Sequence, residues 1–171
     1  MGISRDRDPA GRARNARPRD ALGRPLPYGV EGTSRVPDDL VLEPLPALAE
    51  AQRLLDQGLP FHAHEILEGT WKQADPAERD LWQGLAQLAV GLTHVLRGNK
   101  KGARTLLMRG RARISRYADD PPHGIDIAGL LTWADKALDQ LDSAEPEPLG
   151  PPRLQRASAT GATVSEDGGS A

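Results

Sequence analysis

Between Leu81 and Leu96 lie sixteen consecutive residues without an aspartate, glutamate, lysine or arginine, in a chain that is 27% charged. Such a run reads as a helix buried nearly all round, and so as the centre of a helical protein. At steps of about 100° per residue, Leu81, Leu85, Leu88, Leu92, Val95 and Leu96 share one wide face. Gly84 and Gly91 sit at its edge, where a neighbouring helix can come close. On the opposite side Gln83, Gln87 and His94 fall within about 40° of one another, beside Val90. Buried amides and imidazoles need partners, because leaving one unpaired costs roughly 1–3 kcal/mol.

Proline marks the limits of the domain around this helix. Of the 15 prolines, seven precede position 47 and four fall between Pro146 and Pro152. Residues 1–43 are rich in Arg, Pro and Gly with little to bury, which predicts a disordered arm. Residues 144–171 predict a disordered tail on the same grounds. The remaining 44–143 suffice for one hydrophobic core. Pro46 to Gln57, closed by Gly58, predicts the first helix, and Pro60 to Gln73 the second. Asp75-Pro76-Ala77-Glu78 resembles a reciprocal cap and opens a third helix over 76–97. Gly98-Asn99 stops it, Lys100 to Tyr117 form the fourth, and Asp126 caps a fifth over 127–142. The expected fold is all-α, a single up-and-down bundle of about five helices.

The second helix offers partners for the polar line. His64 and Glu68 stand at i and i+4, about 40° apart, a spacing at which two side chains share one proton or one metal ion; Glu65 flanks them. His62 points about 160° away from His64. In an antiparallel hairpin His64 lies level with Leu85, so Gln83 and Gln87 are in reach. His94 lies about nine residues further on, roughly 13 Å.

Phe61-His-Ala-His-Glu-Ile-Leu-Glu68 followed by Trp71 resembles the "F-x-A-H-E-x-L-E-x-x-W" signature of a bacterial family, the domain of unknown function three hundred and nine. The resemblance continues in Gln83 to Ala89, His94, and Arg97-Gly-Asn-Lys-Lys-Gly-Ala103. It implies an all-helical fold and no particular activity. The positions it carries over are His64, Glu65, Glu68, Trp71, Gln87, His94 and Asn99, with Ala86 a departure where a β-branched aliphatic is expected.

Three functional readings follow. The first is a binding module whose polar pocket, between the second and third helices, is formed by His64, Glu65, Glu68, Gln87 and His94 and takes a small ligand. The second is a metal-dependent enzyme in which His64 and Glu68 hold a divalent ion. His-Glu-x-x-Glu approaches the zinc-peptidase pattern but lacks its second histidine. The third is a nucleic-acid or protein scaffold on the basic helix: Arg97, Lys100, Lys101, Arg104, Arg109, Arg111, Arg113 and Arg116 give +8. Residues 119–147 carry −7, so mutual neutralisation is the simpler account and nucleic acid is not the expected partner. The arm's Arg5, Arg7, Arg12, Arg14, Arg17 and Arg19 could add to that stripe. A plain internal hydrogen-bond network, and Glu68 pairing with Lys72, stand beside these readings. Trp71, Trp82 and Trp133 are expected to supply core area. Close approaches at Gly84, Gly91, Gly102 and Gly110 could lie within one chain or between copies in a homo-oligomer. The chain has no cysteine, which excludes disulfides, thiolate metal sites and thiol catalysis. No run of 18 apolar residues spans a membrane, so a cytoplasmic setting is expected.

Overall fold

The computed structural model describes residues 17–33, 36–37 and 40–157. Five α-helices follow one another: α1 Pro44–Asp56, α2 Pro60–Gln73, α3 Arg79–Leu96, α4 Lys100–Ile114 and α5 Ile127–Asp142. Each packs mainly on its neighbour in sequence, α1 on α2, α2 on α3, α3 on α4 and α4 on α5, which is the up-and-down order that short links impose. Among the described residues there are no strands, only two isolated bridges.

The punctuation acts largely as the sequence predicts. Gly98 takes the left-handed conformation at φ 73° and ends α3. Asn99 Oδ1 accepts from Gly102 N at 3.0 Å, and Asp126 Oδ1 from Gly129 N at 3.1 Å, capping α4 and α5. Three helix ends differ by two residues or more: α1 already starts at Pro44, and the others are at α3 and α4. α3 starts at Arg79 rather than Pro76, because Glu78 N and Arg79 N both bond the Asp75 carbonyl and residues 76–78 form a turn. The Glu78 carboxylate then serves other partners, accepting from Trp82 Nε1 at 3.1 Å and meeting His123 Nε2 at 2.8 Å. α4 ends at Ile114, and Ser115–Tyr117 tighten into a 3-10 turn.

α3 is the hub of the core. Leu81, Trp82, Leu85, Leu88 and Leu92 are buried, along with Leu48 of α1, Leu67 of α2, Leu107 of α4 and Leu130 of α5. Its glycines admit α4. A Cβ built on Gly110 would lie 2.8 Å from the Gly84 carbonyl oxygen, and one on Gly91 would lie 2.7 Å from Leu107 Cδ2. The close approaches at Gly84, Gly91 and Gly110 are thus within the chain, and Gly102 faces Asn99 and His94. Trp82 is core, whereas Trp71 and Trp133 are half-buried against it.

Residues 144–157, expected within the tail, return along α5 as a strap. Trp133 Nε1 donates to Gly150 O at 2.8 Å, and Asp126 N to Leu154 O at 2.9 Å. On the α1 side, Gln52 Nε2 donates to Pro152 O at 3.2 Å while its Oε1 accepts from Leu154 N at 2.8 Å, so one side-chain amide reads the strap as a neighbouring strand would. Pro152 and Leu154 are buried. The proline-rich composition concealed this because the strap borrows its apolar contacts from the bundle and needs no core of its own. Part of the expected arm also lies on the bundle. The Arg97 guanidinium donates to Leu22 O, and Arg19 stands over the Phe61 ring at 5.1 Å. The rest of the arm and tail, including Arg5, Arg7, Arg12 and Arg14, lies outside the described residues.

Candidate functional site

A cleft of about 160 Å³ opens where α2, α3 and α4 meet, lined by His64, Glu68, Trp71, Gln83, Ala86, Gln87, Val90 and Leu106. The helical repeat builds it: 64, 68 and 71 form one stripe of α2, and 83, 86, 87 and 90 form the facing stripe of α3. The polar line predicted on the uncharged helix therefore meets the His64 and Glu68 side of α2 at the level of Gln83 and Gln87. Trp71, Ala86, Val90 and Leu106 supply apolar walls.

His64 Nε2 lies 3.6 Å from Glu68 Oε2, too far for a hydrogen bond, and Lys72 Nζ lies 3.2 Å from Glu68 Oε1. Burial holds the His64 pKa below the ordinary value, against the opposing pull of Glu68; Lys72 lowers it further and the Phe61 backbone raises it. The imidazole is thus neutral near neutral pH. Its Nδ1 is buried beside the Phe61 backbone, short of full hydrogen-bond geometry. Gln87 Oε1 is likewise buried with no hydrogen-bond partner. This contrasts with the buried hydroxyls of Thr70 and Thr93, which bond the carbonyls of Ile66 and Ala89 in their own helices.

The other sequence-predicted site residues lie elsewhere. Glu65 lines a different cavity, with Val36, Pro37, Leu40 and Val41. His94 sits at the end of α3, where its Nδ1 accepts from Asn99 Nδ2 at 3.1 Å, and so joins the cap of α4. A divalent ion on His64 and Glu68 would have those two ligands, and among the described residues no three or more His, Asp or Glu side chains gather to hold one. Four of the eight cations of the basic stripe are paired, by three carboxylates. Arg104 pairs with Asp142 at 2.6 Å, Arg111 with Asp135 at 2.5 Å, and both Arg113 and Arg116 with Asp80. Leu106 of α4 joins the cleft without a signal in the sequence, since only the α3–α4 packing brings it there. The same holds for His123, which reaches Glu78 and Trp82 from a loop where it takes φ 55°.

The imidazoles make stability acid-sensitive. Burial lowers the pKa of His62, His64 and His94 from 6.5, with Arg97 adding to the effect at His94. The unfolded chain therefore binds more protons than the folded one below that value, and stability falls as pH drops from 6.5 toward the depressed folded-state values. The depressed carboxylates, Glu50, Glu78 and Asp135, act only below their ordinary values of 4.5, 4.5 and 3.8. Urea midpoints measured across about pH 7.5 to 5 are expected to fall, and a His62→Asn, His64→Gln double variant is expected to flatten that slope.

A five-helix bundle with a polar-lined interhelical cleft is the class of molecule these features define. Residues 48–106, from α1 into α4, match the family model described as "Domain of unknown function (DUF309)". The uncharacterised protein YpuF of Bacillus subtilis (strain 168) is 34% identical over 85 residues, which cover 48% of this chain and 49% of that protein. The chain thus spans about half the length of this curated relative. No solved structure shows a significant match to the chain. Among the described residues no helix is long and apolar enough to cross a membrane.

Proposed function

We propose that this protein is a small-ligand binding module whose site is the cleft between α2 and α3. His64, Glu68 and Gln87 are its polar contacts, and Trp71, Val90 and Leu106 its walls. The observation that carries this reading is that Gln87 lines the cleft with His64 and Glu68 while its Oε1 is buried without a hydrogen-bond partner. A bundle built only for stability has no use for such a group, because desolvating it costs about 1–3 kcal/mol. A binding site uses it once a ligand supplies the donor. Glu65 and His94 face other partners and fall outside the proposed contacts. Nucleic-acid binding on α4 is disfavoured because Arg104, Arg111, Arg113 and Arg116 are already paired with carboxylates.

The test is Gln87→Leu. Its expected effect is a rise of about 1 kcal/mol in unfolding free energy, the direction in which function-bearing polar groups depart from stability. The same substitution is expected to abolish binding of small-molecule fragments detected at the Trp71 indole by NMR. A loss of stability of about 1–3 kcal/mol would instead mark Gln87 as a partner in an internal network and remove the cleft's claim to be a binding site.

A further inference from the structure

We infer that the cleft takes a small organic cation, a primary ammonium with an apolar tail; this rests on the cleft being a binding site. Of the side chains that line it, His64, Glu68, Gln83 and Gln87 carry acceptors. Glu68 Oε2 and His64 Nε2 stand 3.6 Å apart without bonding each other, and Gln87 Oε1 is buried and unpartnered. The imidazole turns Nε2 toward Glu68, and in its Nδ1–H tautomer that nitrogen is an acceptor. An ammonium carries three N–H donors and no acceptor, so it complements this set. Its tail would meet Trp71, Ala86, Val90 and Leu106, and the Trp71 ring also favours a cation.

The chain itself supplies a stand-in. Lys72, one turn beyond Glu68, already rests a primary ammonium on the other carboxylate oxygen at 3.2 Å, from a side chain that is 63% exposed and free to be displaced. An anionic ligand would face the Glu68 carboxylate with only this committed lysine to receive it. A hard divalent ion would find one carboxylate, one imidazole and the amides of Gln83 and Gln87, short of the six or more oxygen donors such an ion prefers.

The experiment titrates the isotopically labelled full chain at about pH 7, where a primary amine is protonated. The probes are benzylammonium chloride, benzyl alcohol, sodium benzoate and zinc chloride, observed at the Trp71 indole and the Gln87 side-chain amide. Benzylammonium is expected to give saturable shifts. Glu68→Gln should weaken it by about tenfold or more, and Lys72→Met should tighten it severalfold by removing the internal competitor, a gain that misfolding cannot mimic. Equal or tighter binding of the alcohol, the benzoate or zinc overturns the ligand class and leaves the cleft as a site. An unchanged affinity in Glu68→Gln does the same. Silence from every probe at both reporters overturns the cleft reading itself.

Discussion

Replacing Gly110 with valine is expected to lower the unfolding free energy by about 3 kcal/mol, read from urea midpoints at constant slope. A Cβ at this position meets the Gly84 carbonyl oxygen at 2.8 Å and Leu88 Cδ2 at 3.0 Å. The first contact is with backbone, which cannot rotate away, so α3 and α4 must separate along the seam that the buried leucines share. Gly110→Ala is expected to cost less, since better helix propensity returns about 1 kcal/mol. Gly69 supplies the control. It too lies within a helix, yet a Cβ there meets only the Leu40 carbonyl oxygen at an ordinary 3.5 Å. Gly69→Ala is therefore expected to be neutral or stabilising, and a large loss there would show that the Gly110 cost does not come from the seam.

The second large effect lies in the strap. Leu154→Ala is expected to cost about 2–4 kcal/mol, because Leu154 is 3% exposed and belongs to the core of the bundle. Its own backbone is held on both sides, its N–H by Gln52 and its carbonyl by Asp126 N. Gln52→Ala should cost less, about 1 kcal/mol for the lost hydrogen bonds. It should also expose the strap at Arg153 and Arg156 to trypsin before the bundle unfolds. Equal protease resistance in the wild type and Gln52→Ala would mean that the clasp does not hold the strap.

The bundle was legible because helix punctuation is local chemistry. Pro60, Gly98, Asn99 and Asp126 act within a few residues of themselves, and α2 and α5 span the predicted residues. The cleft was legible for a related reason: the 3.6-residue repeat fixes which residues of α2 and α3 share a stripe, and a hairpin fixes their level. His64 and Glu68 thus meet Gln83 and Gln87 as expected. The same arithmetic separated His94, whose partner Asn99 is set by the turn rather than by the stripe. What the sequence concealed depends on contacts between distant segments. Leu106 reaches the cleft only through the glycine seam. The strap is held by Gln52 and Trp133, residues whose own patterns mark them as ordinary helix positions.

The clasp between Gln52 and the strap spans 100 to 102 residues, whereas every helix packs chiefly on a neighbour in sequence. Contact order is therefore low within the helical body, and low contact order favours rapid folding; the widest separations lie where the terminal segments dock, at this clasp and at Arg97 with Leu22. Closing so long a loop adds only a logarithmic entropy cost once the helices are in place. The final segment is thus expected to open as a separate unit, a latch that releases and reseals while the five-helix body stays folded.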